Sequence, residues 1–115
     1  MQITKTLFTR TINEEIVRVL YFDINAIKFE YKGNISIIYE LHEIIPKIKQ
    51  YILDTYNIQL RSYVSKKGKG ICKLVPTDTC DKIYYKAVFE TEQLAILRAA
   101  EWCINNEKQI ELLGG

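Results

Sequence analysis

The sequence predicts an α+β fold: an antiparallel β-sheet of five to seven strands with two helices packed on it. Two observations carry that expectation. Lys82–Glu90 reads as a strand that runs directly into an alanine-rich helical pattern opened by Thr91. Ala26–Lys32 and Ile35–Leu41 both alternate apolar and polar residues, with Gly33-Asn34 between them. A period of two marks a strand with one wet face, and a period near 3.6 marks an amphipathic helix. At 115 residues, 48% of them hydrophobic and 26% charged, the chain is long enough for one core and too short for two.

The first 25 residues read two ways. Ile3–Phe8 can form a strand. Ile16–Phe22 is β-branched and aromatic, which favours a strand. Thr11-Ile12-Asn13-Glu14 has the form of a capping box that would instead open a helix there, with Ile12, Ile16, Val19 and Leu20 inward. The strand is the favoured reading. Next comes the hairpin. Gly33-Asn34 suits a tight turn with positive φ, and Ile35, Ile37, Tyr39 and Leu41 then share one side.

A helix begins between His42 and Pro46, with the proline tolerated in a first turn. Ile48, Ile52 and Thr55, with Tyr51 and Tyr56 beside them, form its apolar stripe, and Lys47, Lys49, Gln50 and Asp54 face water. Asn57 ends it in the left-handed conformation. Ile58–Ser65 is a strand with Ile58, Leu60, Ser62 and Val64 on one face and Gln59, Arg61, Tyr63 and Ser65 on the other. Lys66–Gly70 is a turn, Ile71–Val75 a return strand and Pro76–Thr79 a loop.

In the last helix Thr91 is the N-cap, and Glu92 sits where the dipole favours a carboxylate. Ile96, Ala99, Ala100, Cys103 and Ile104 gather on one face; Arg98, Glu101, Asn105 and Lys108 gather on the other. The small centre of the buried face lets the helix lie close to a sheet. Trp102 falls at its edge. The tail Ile110–Gly115 extends the helix or frays.

From about Ile44 to Asn106 this order resembles small uncharacterised phage and prophage proteins, some of them classed as ABA-sandwich proteins. The likeness is strongest over Tyr85–Asn106, in Tyr85-Lys86-Ala87-Val88-Phe89-Glu90-Thr91-Glu92-Gln93-Leu94-Ala95 and the pair Ala99-Ala100. The resemblance implies a mobile-element origin and a binding role. It brings no catalytic motif.

Composition limits the functional classes. The net charge of +2 neither demands nor excludes a nucleic-acid partner. No run approaches the roughly 18 apolar residues of a membrane span. The N-terminus lacks a signal-peptide core, so the expected location is the cytoplasm, that of the host if the chain is phage-encoded. Cys72, Cys80 and Cys103 show no Cys-x-x-Cys spacing and read as reduced thiols. A Cys72–Cys80 disulfide is geometrically feasible but out of place in a cytosol. With one histidine, His42, no ordinary zinc site is expected. Neither metal nor other cofactor is expected.

The candidate surfaces are basic and aromatic. Arg61, Tyr63, Lys73, Tyr84, Tyr85 and Lys86 lie on adjacent predicted strands, and four of them (Arg61, Tyr63, Tyr85 and Lys73) can share the open sheet face. Such a face would stack bases while its cations meet phosphate. Eight tyrosines in so short a chain also suit a protein interface. Lys66, Lys67 and Lys69, with Gly68 and Gly70, are a candidate anion contact. The segment lies between strands, however, and no Lys-Ser/Thr follows its glycines, so it departs from a phosphate loop. Arg98 and Trp102, one turn apart, are a candidate interface anchor, although Arg98 can equally pair with Glu101.

No nucleophile–base pair, paired carboxylates or metal cluster is visible, so an enzyme is the least expected class. The first expectation is a non-enzymatic module that binds a host protein. The alternatives are a binder of a small anionic ligand or nucleotide, and a nucleic-acid binder using the basic–aromatic face. A homodimer is compatible with all three.

Overall fold

The computed structural model describes residues 2–13, 15–22, 25–32, 36–78 and 82–114. Its elements are α1 (Gln2–Ile12), β1 (Ile16–Phe22), β2 (Ala26–Tyr31), β3 (Ser36–Glu40), α2 (Leu41–Tyr56), β4 (Ile58–Val64), β5 (Gly70–Pro76), β6 (Tyr85–Phe89), α3 (Glu92–Asn105) and α4 (Glu107–Gly114). The fold is α+β with antiparallel pairing throughout. The strands form two separate three-stranded sheets, β1-β2-β3 and β4-β5-β6, and four helices accompany them.

The single five-to-seven-stranded sheet is therefore corrected to two sheets. The reason lies in the junction at Glu40. Helix α2 begins at Leu41 with no intervening loop, and its 16 residues carry the chain about 24 Å before β4 begins. Helix α2 thus excludes a β3–β4 hairpin, and each of these strands is the edge of its own antiparallel sheet. The helix also starts earlier than its proline implied. Pro46 consequently sits inside the second turn, where its ring removes one helical hydrogen bond.

The N-terminal strand over Ile3–Phe8 is likewise corrected to a helix. Leu7 and Phe8 are fully buried, and the Phe8 ring lies 4.7 Å from that of Phe29. Thr11 Oγ1 donates to the Leu7 carbonyl one turn back at 2.7 Å. The helix ends at Asn13, which adopts φ 62° and donates its N–H to the Thr9 carbonyl at 3.0 Å. The segment that resembled a capping box opening a helix thus closes one, because asparagine serves either end; Glu14 lies outside the described residues. Ile16–Phe22 is a strand, as favoured. β2 and β3 pair antiparallel, as expected of a hairpin, with Phe29 opposite Ile37 and Ile27 opposite Tyr39. This register is one residue off the Phe29–Ile38 pairing that a two-residue Gly33-Asn34 turn implies, and Gly33, Asn34 and Ile35 fall outside the described residues.

Helices α2 and α3 cover one face of β4-β5-β6. Ile44, Ile48 and Ile52 of α2 are fully buried, whereas Thr55 is exposed and lies outside the stripe. Asn57 ends α2 at φ 60°, as expected, with its N–H on the Leu53 carbonyl. On α3, Ala95, Ala99, Ala100 and Cys103 are fully buried, with Ile96 and Leu97 nearly so. Thr91 caps the helix by accepting from the Leu94 N–H at 3.1 Å. Ile104 is half-buried, and Glu101 is buried against expectation; Arg98 reaches it at 2.8 Å. The core is continuous across both sheets, and no buried side-chain polar atom among the described residues lacks a partner. No helix among them is long and apolar enough to cross a membrane.

The two glycines of the basic turn do different work. Gly68 has φ +81° and open space around it, so it serves the turn's backbone. Gly70 is buried under the start of α3. A Cβ there would lie 2.1 Å from the Thr91 carbonyl carbon and 2.2 Å from the Glu92 nitrogen. Gly70→Ala is therefore expected to cost about 3 kcal/mol or more, because backbone must move. Gly68→Ala should cost about 1 kcal/mol, through the left-handed φ alone. Urea denaturation of the two variants measures the contrast; equal losses would sink this assignment.

Candidate functional site

The register of the second sheet decides which side chains face outward. Arg61 pairs with Lys73, and Lys73 pairs with Lys86. Side chains directly opposite in a ladder share a face, so the three cations form one row across three strands. The row toward the basic turn is Tyr63, Ile71 and Val88; on the other side Gln59 pairs with Val75. The helices α2 and α3 cover the opposite face, although Ile71 and Val75 on this one are buried, at 7% and 3% exposed. Tyr63 and Val88 are 42% and 50% exposed. The Lys73 Nζ sits 5.4 Å from the centre of the Tyr63 ring, a cation–π contact. Arg61 donates from Nε and Nη2 to Gln59 Oε1 at 3.3 and 3.1 Å.

Of the predicted face residues, Arg61, Tyr63, Lys73 and Lys86 are brought together. Tyr85 is not, which is a correction. It pairs with Leu74 and so points to the helix side, where its ring stacks on Trp102 at 5.2 Å and 12°. Register parity explains this: Lys86 can face outward only if Tyr85 faces inward. The strand is also shorter than Lys82–Glu90, running Tyr85–Phe89, and the half-buried Tyr84 precedes it. The Arg98–Trp102 anchor is not assembled either. Trp102 is engaged by Tyr85, and Arg98 by Glu101.

Lys66, Lys67 and Lys69 are exposed in the turn that joins β4 to β5, at the Tyr63 end of the face. The turn is closed by Ser65, whose N–H donates to the Lys69 carbonyl at 2.8 Å and whose Oγ accepts from the Lys69 N–H at 3.1 Å. No helix N-terminus lies within it, so it is a lysine-bearing turn and not a phosphate loop.

Beyond this face, the polar clusters of the described residues include two that gather charged groups. Glu40, His42 and Glu43 bring one ligand atom each within 4.8 Å of one another, with His42 Nδ1 at 3.2 Å from Glu40 Oε2. All three are exposed at the N-terminus of α2, whose dipole disfavours a cation. The second cluster, which sequence reasoning missed, joins three helices. Glu107 of α4 accepts from Arg10 of α1 and, at 2.8 Å, from the Tyr56 hydroxyl of α2. Its members lie 46 to 97 residues apart, so no local pattern could reveal it. Tyr56 also lines a cavity of about 150 Å³ with Asp78, Lys82, Tyr84 and Leu113. That is smaller than the roughly 300 Å³ at which small-molecule sites usually begin.

The thiols are chemically quiet. Burial pushes Cys72 and Cys103 each up to about 12, and both are free. Cys80 and the remainder of its loop lie outside the described residues. No protein-family model matches the chain, and neither curated proteins nor solved structures yield a match.

Two outcomes follow. At neutral pH a thiol reagent should leave Cys72 and Cys103 unmodified in folded protein and label both in urea, as read by peptide mapping; rapid native labelling of either would overturn their assignment as inert core thiols. The second concerns acid. The hydrogen bond from Arg10, and then that from Tyr56, hold the Glu107 carboxyl below its ordinary range. A depressed carboxylate contributes stability that is complete above its unfolded pKa and lost as pH falls through the folded one. Glu107→Gln should therefore lower the urea midpoint at neutral pH, and the gap to the parent should close below about pH 4. A gap independent of pH would mean that the ion pair contributes nothing.

Proposed function

We propose that the open face of β4-β5-β6 is a polyanion-binding surface and that its ligand is single-stranded nucleic acid held through its phosphates. One observation carries this reading: Arg61, Lys73 and Lys86 stand directly opposite one another across both ladders. Like charges so placed destabilise a sheet by up to about 1 kcal/mol per pair. Among the described residues no carboxylate pairs with Lys73 or Lys86. A bound phosphate chain relieves that repulsion. Neighbouring strands lie about 4.8 Å apart, so the row spans roughly 10 Å and can meet adjacent phosphates. Lys66, Lys67 and Lys69 extend the positive surface past one end of the sheet.

Recognition is led by phosphate and not by base. Tyr63 is the only tyrosine of the predicted set on the face, and Lys73 already occupies one side of its ring. Little base stacking and little sequence preference follow from that.

The test is fluorescence anisotropy with a labelled oligo-deoxythymidine of about 20 nucleotides. Affinity should fall with salt at a log–log slope near −2, as about three cations meeting single-strand phosphates requires. Lys73→Glu with Lys86→Glu should abolish most binding, and Lys73→Glu alone should raise the urea midpoint, because residue 73 then stands opposite Arg61 and Lys86 with opposite charge. Salt-independent binding, or a double variant that binds as well as the parent, would refute the proposal.

A further inference from the structure

The second surface runs along the free edge of β4. Pro46, Lys49, Gln50 and Leu53 of α2 face Gln59, Leu60 and Arg61 of β4 across an open groove of about 400 Å³. Gln59, Leu60 and Arg61 are consecutive, so their side chains alternate between the two sheet faces. A single groove can be lined by all three only if it follows the edge of the strand. β4 has β5 on one side and, among the described residues, no strand on the other.

The edge is ready to pair. Asn57 accepts from Thr77, and Ser65 donates to Lys69, which marks the odd-numbered residues of β4 as those bonded to β5. The N–H and C=O groups of Ile58, Leu60, Ser62 and Val64 therefore point outward. The register with β5 is unbroken over seven residues, and β4 contains no proline. By contrast β1, the edge of the other sheet, carries two register irregularities. Bulges, prolines and lysines are common guards of an edge strand; β4 has neither bulge nor proline, and the lysine at its edge, Lys49, is drawn to Ser62.

We infer that this groove takes an extended peptide segment of a partner protein, in which acidic and apolar residues alternate, as an added strand on β4. The alternation follows from the two sides of the groove. Side chains directed toward α2 meet Leu53 and Leu60, and those directed the other way meet Arg61. Charge complementarity sets the acidic residues: Lys49 and Arg61 line the groove and no carboxylate does. Lys49 is half-buried, contrary to the water-facing position its helical spacing implied, and its Nζ is held 3.2 Å from Ser62 Oγ at the strand edge. Asp54 accepts the Gln50 amide outside the lining. The same charges disfavour a second copy as occupant, because antiparallel self-pairing around Arg61 would set Arg61 against its symmetry mate.

The experiment titrates ¹⁵N-labelled full-length protein with a blocked peptide of alternating valine and glutamate, beside a valine–lysine control. Amide shifts should map to residues 47–53 and 58–64, with hydrogen exchange slowed at Leu60 and Ser62. Lys49→Glu should weaken binding about tenfold, and Lys86→Glu should leave it unchanged. Gln50→Glu, on the exposed rim, should weaken it about threefold and guards against a Lys49 variant that fails to fold. Equal binding of the lysine peptide, no shifts at millimolar peptide, or shifts confined to Lys73 and Lys86 would each overturn the inference. So would concentration-dependent protection of Leu60 without peptide, since that is self-association. The groove shares Gln59 and Arg61 with the open face but neither Lys73 nor Lys86, so loss of peptide binding and loss of oligonucleotide binding are separately scored.

Discussion

The close approach of α3 to β5 is the constraint on which the rest of the structure depends. A helix rests that near to a strand only if neither presents bulk at the crossing. Here α3 offers Ala95, Ala99, Ala100 and Cys103, all fully buried, and β5 begins with Gly70 pressed against the Thr91–Glu92 peptide. The contact fixes which face of the second sheet is covered. Once Cys72, Leu74 and Ala87 turn toward the helices, the period of two turns Lys73 and Lys86 away from them. The basic row is thus a consequence of core packing. Its charges have one face available to them, and that face is open.

Glu92 links this constraint to the rest of the helical layer. Its carboxylate accepts from Ser62 Oγ at 2.6 Å, and Ser62 in turn accepts from Lys49 at 3.2 Å. One chain of hydrogen bonds therefore ties α3, β4 and α2 together where the groove begins. It also explains why a lysine on α2 is held inward: its ammonium completes a polar network in a region otherwise filled by isoleucines. Partly buried networks of this kind fix position more than they add stability. The N-terminal half is secured differently, by the Phe8–Phe29 ring contact and by Glu107 between Arg10 and Tyr56.

The local patterns of the sequence were sufficient for the helix caps and for β4 in the C-terminal half. Thr91, Asn57 and the alternation of Ile58–Ser65 each act on a few neighbours, so residue type decides them. The failures share a cause, which is distance along the chain. Ile3–Phe8 looked strand-like because its threonines and isoleucine favour strands, yet burial of Leu7 and Phe8 against Phe29 outweighs that preference. Separate sheets were not foreseeable from strand count, because sheet membership depends on where a helix delivers the chain. Glu101 was placed on the wet face by its helical angle, and its burial follows from what packs beside α3. In the candidate site, the shared face of Arg61, Tyr63 and Lys73 was legible, and Lys86 takes the place there that Tyr85 was expected to fill. Tyr85 was misplaced because the face of a strand depends on its register with its neighbours, and that register lies outside the strand's own sequence.

Arg61 is where the two proposed surfaces meet, and the choice of arginine there has physical content. A lysine at the centre of three adjacent cations would retain its rotamer freedom and bend away from its neighbours. The guanidinium instead gives Nε and Nη2 to Gln59 Oε1, two residues back on the same strand. That contact lays the group along β4 and holds its charge beside both Lys73 and the groove. Gln59 is neutral, so this contact orients the guanidinium without adding a second charge. Ordering the side chain in the unbound protein also removes part of the entropy cost that a flexible cation would bear on meeting an anion. An oriented charge at a strand edge can serve a phosphate on the sheet face or a carboxylate in the groove, but one guanidinium cannot fully satisfy both. Occupancy of either surface should therefore weaken the other, through Arg61 alone.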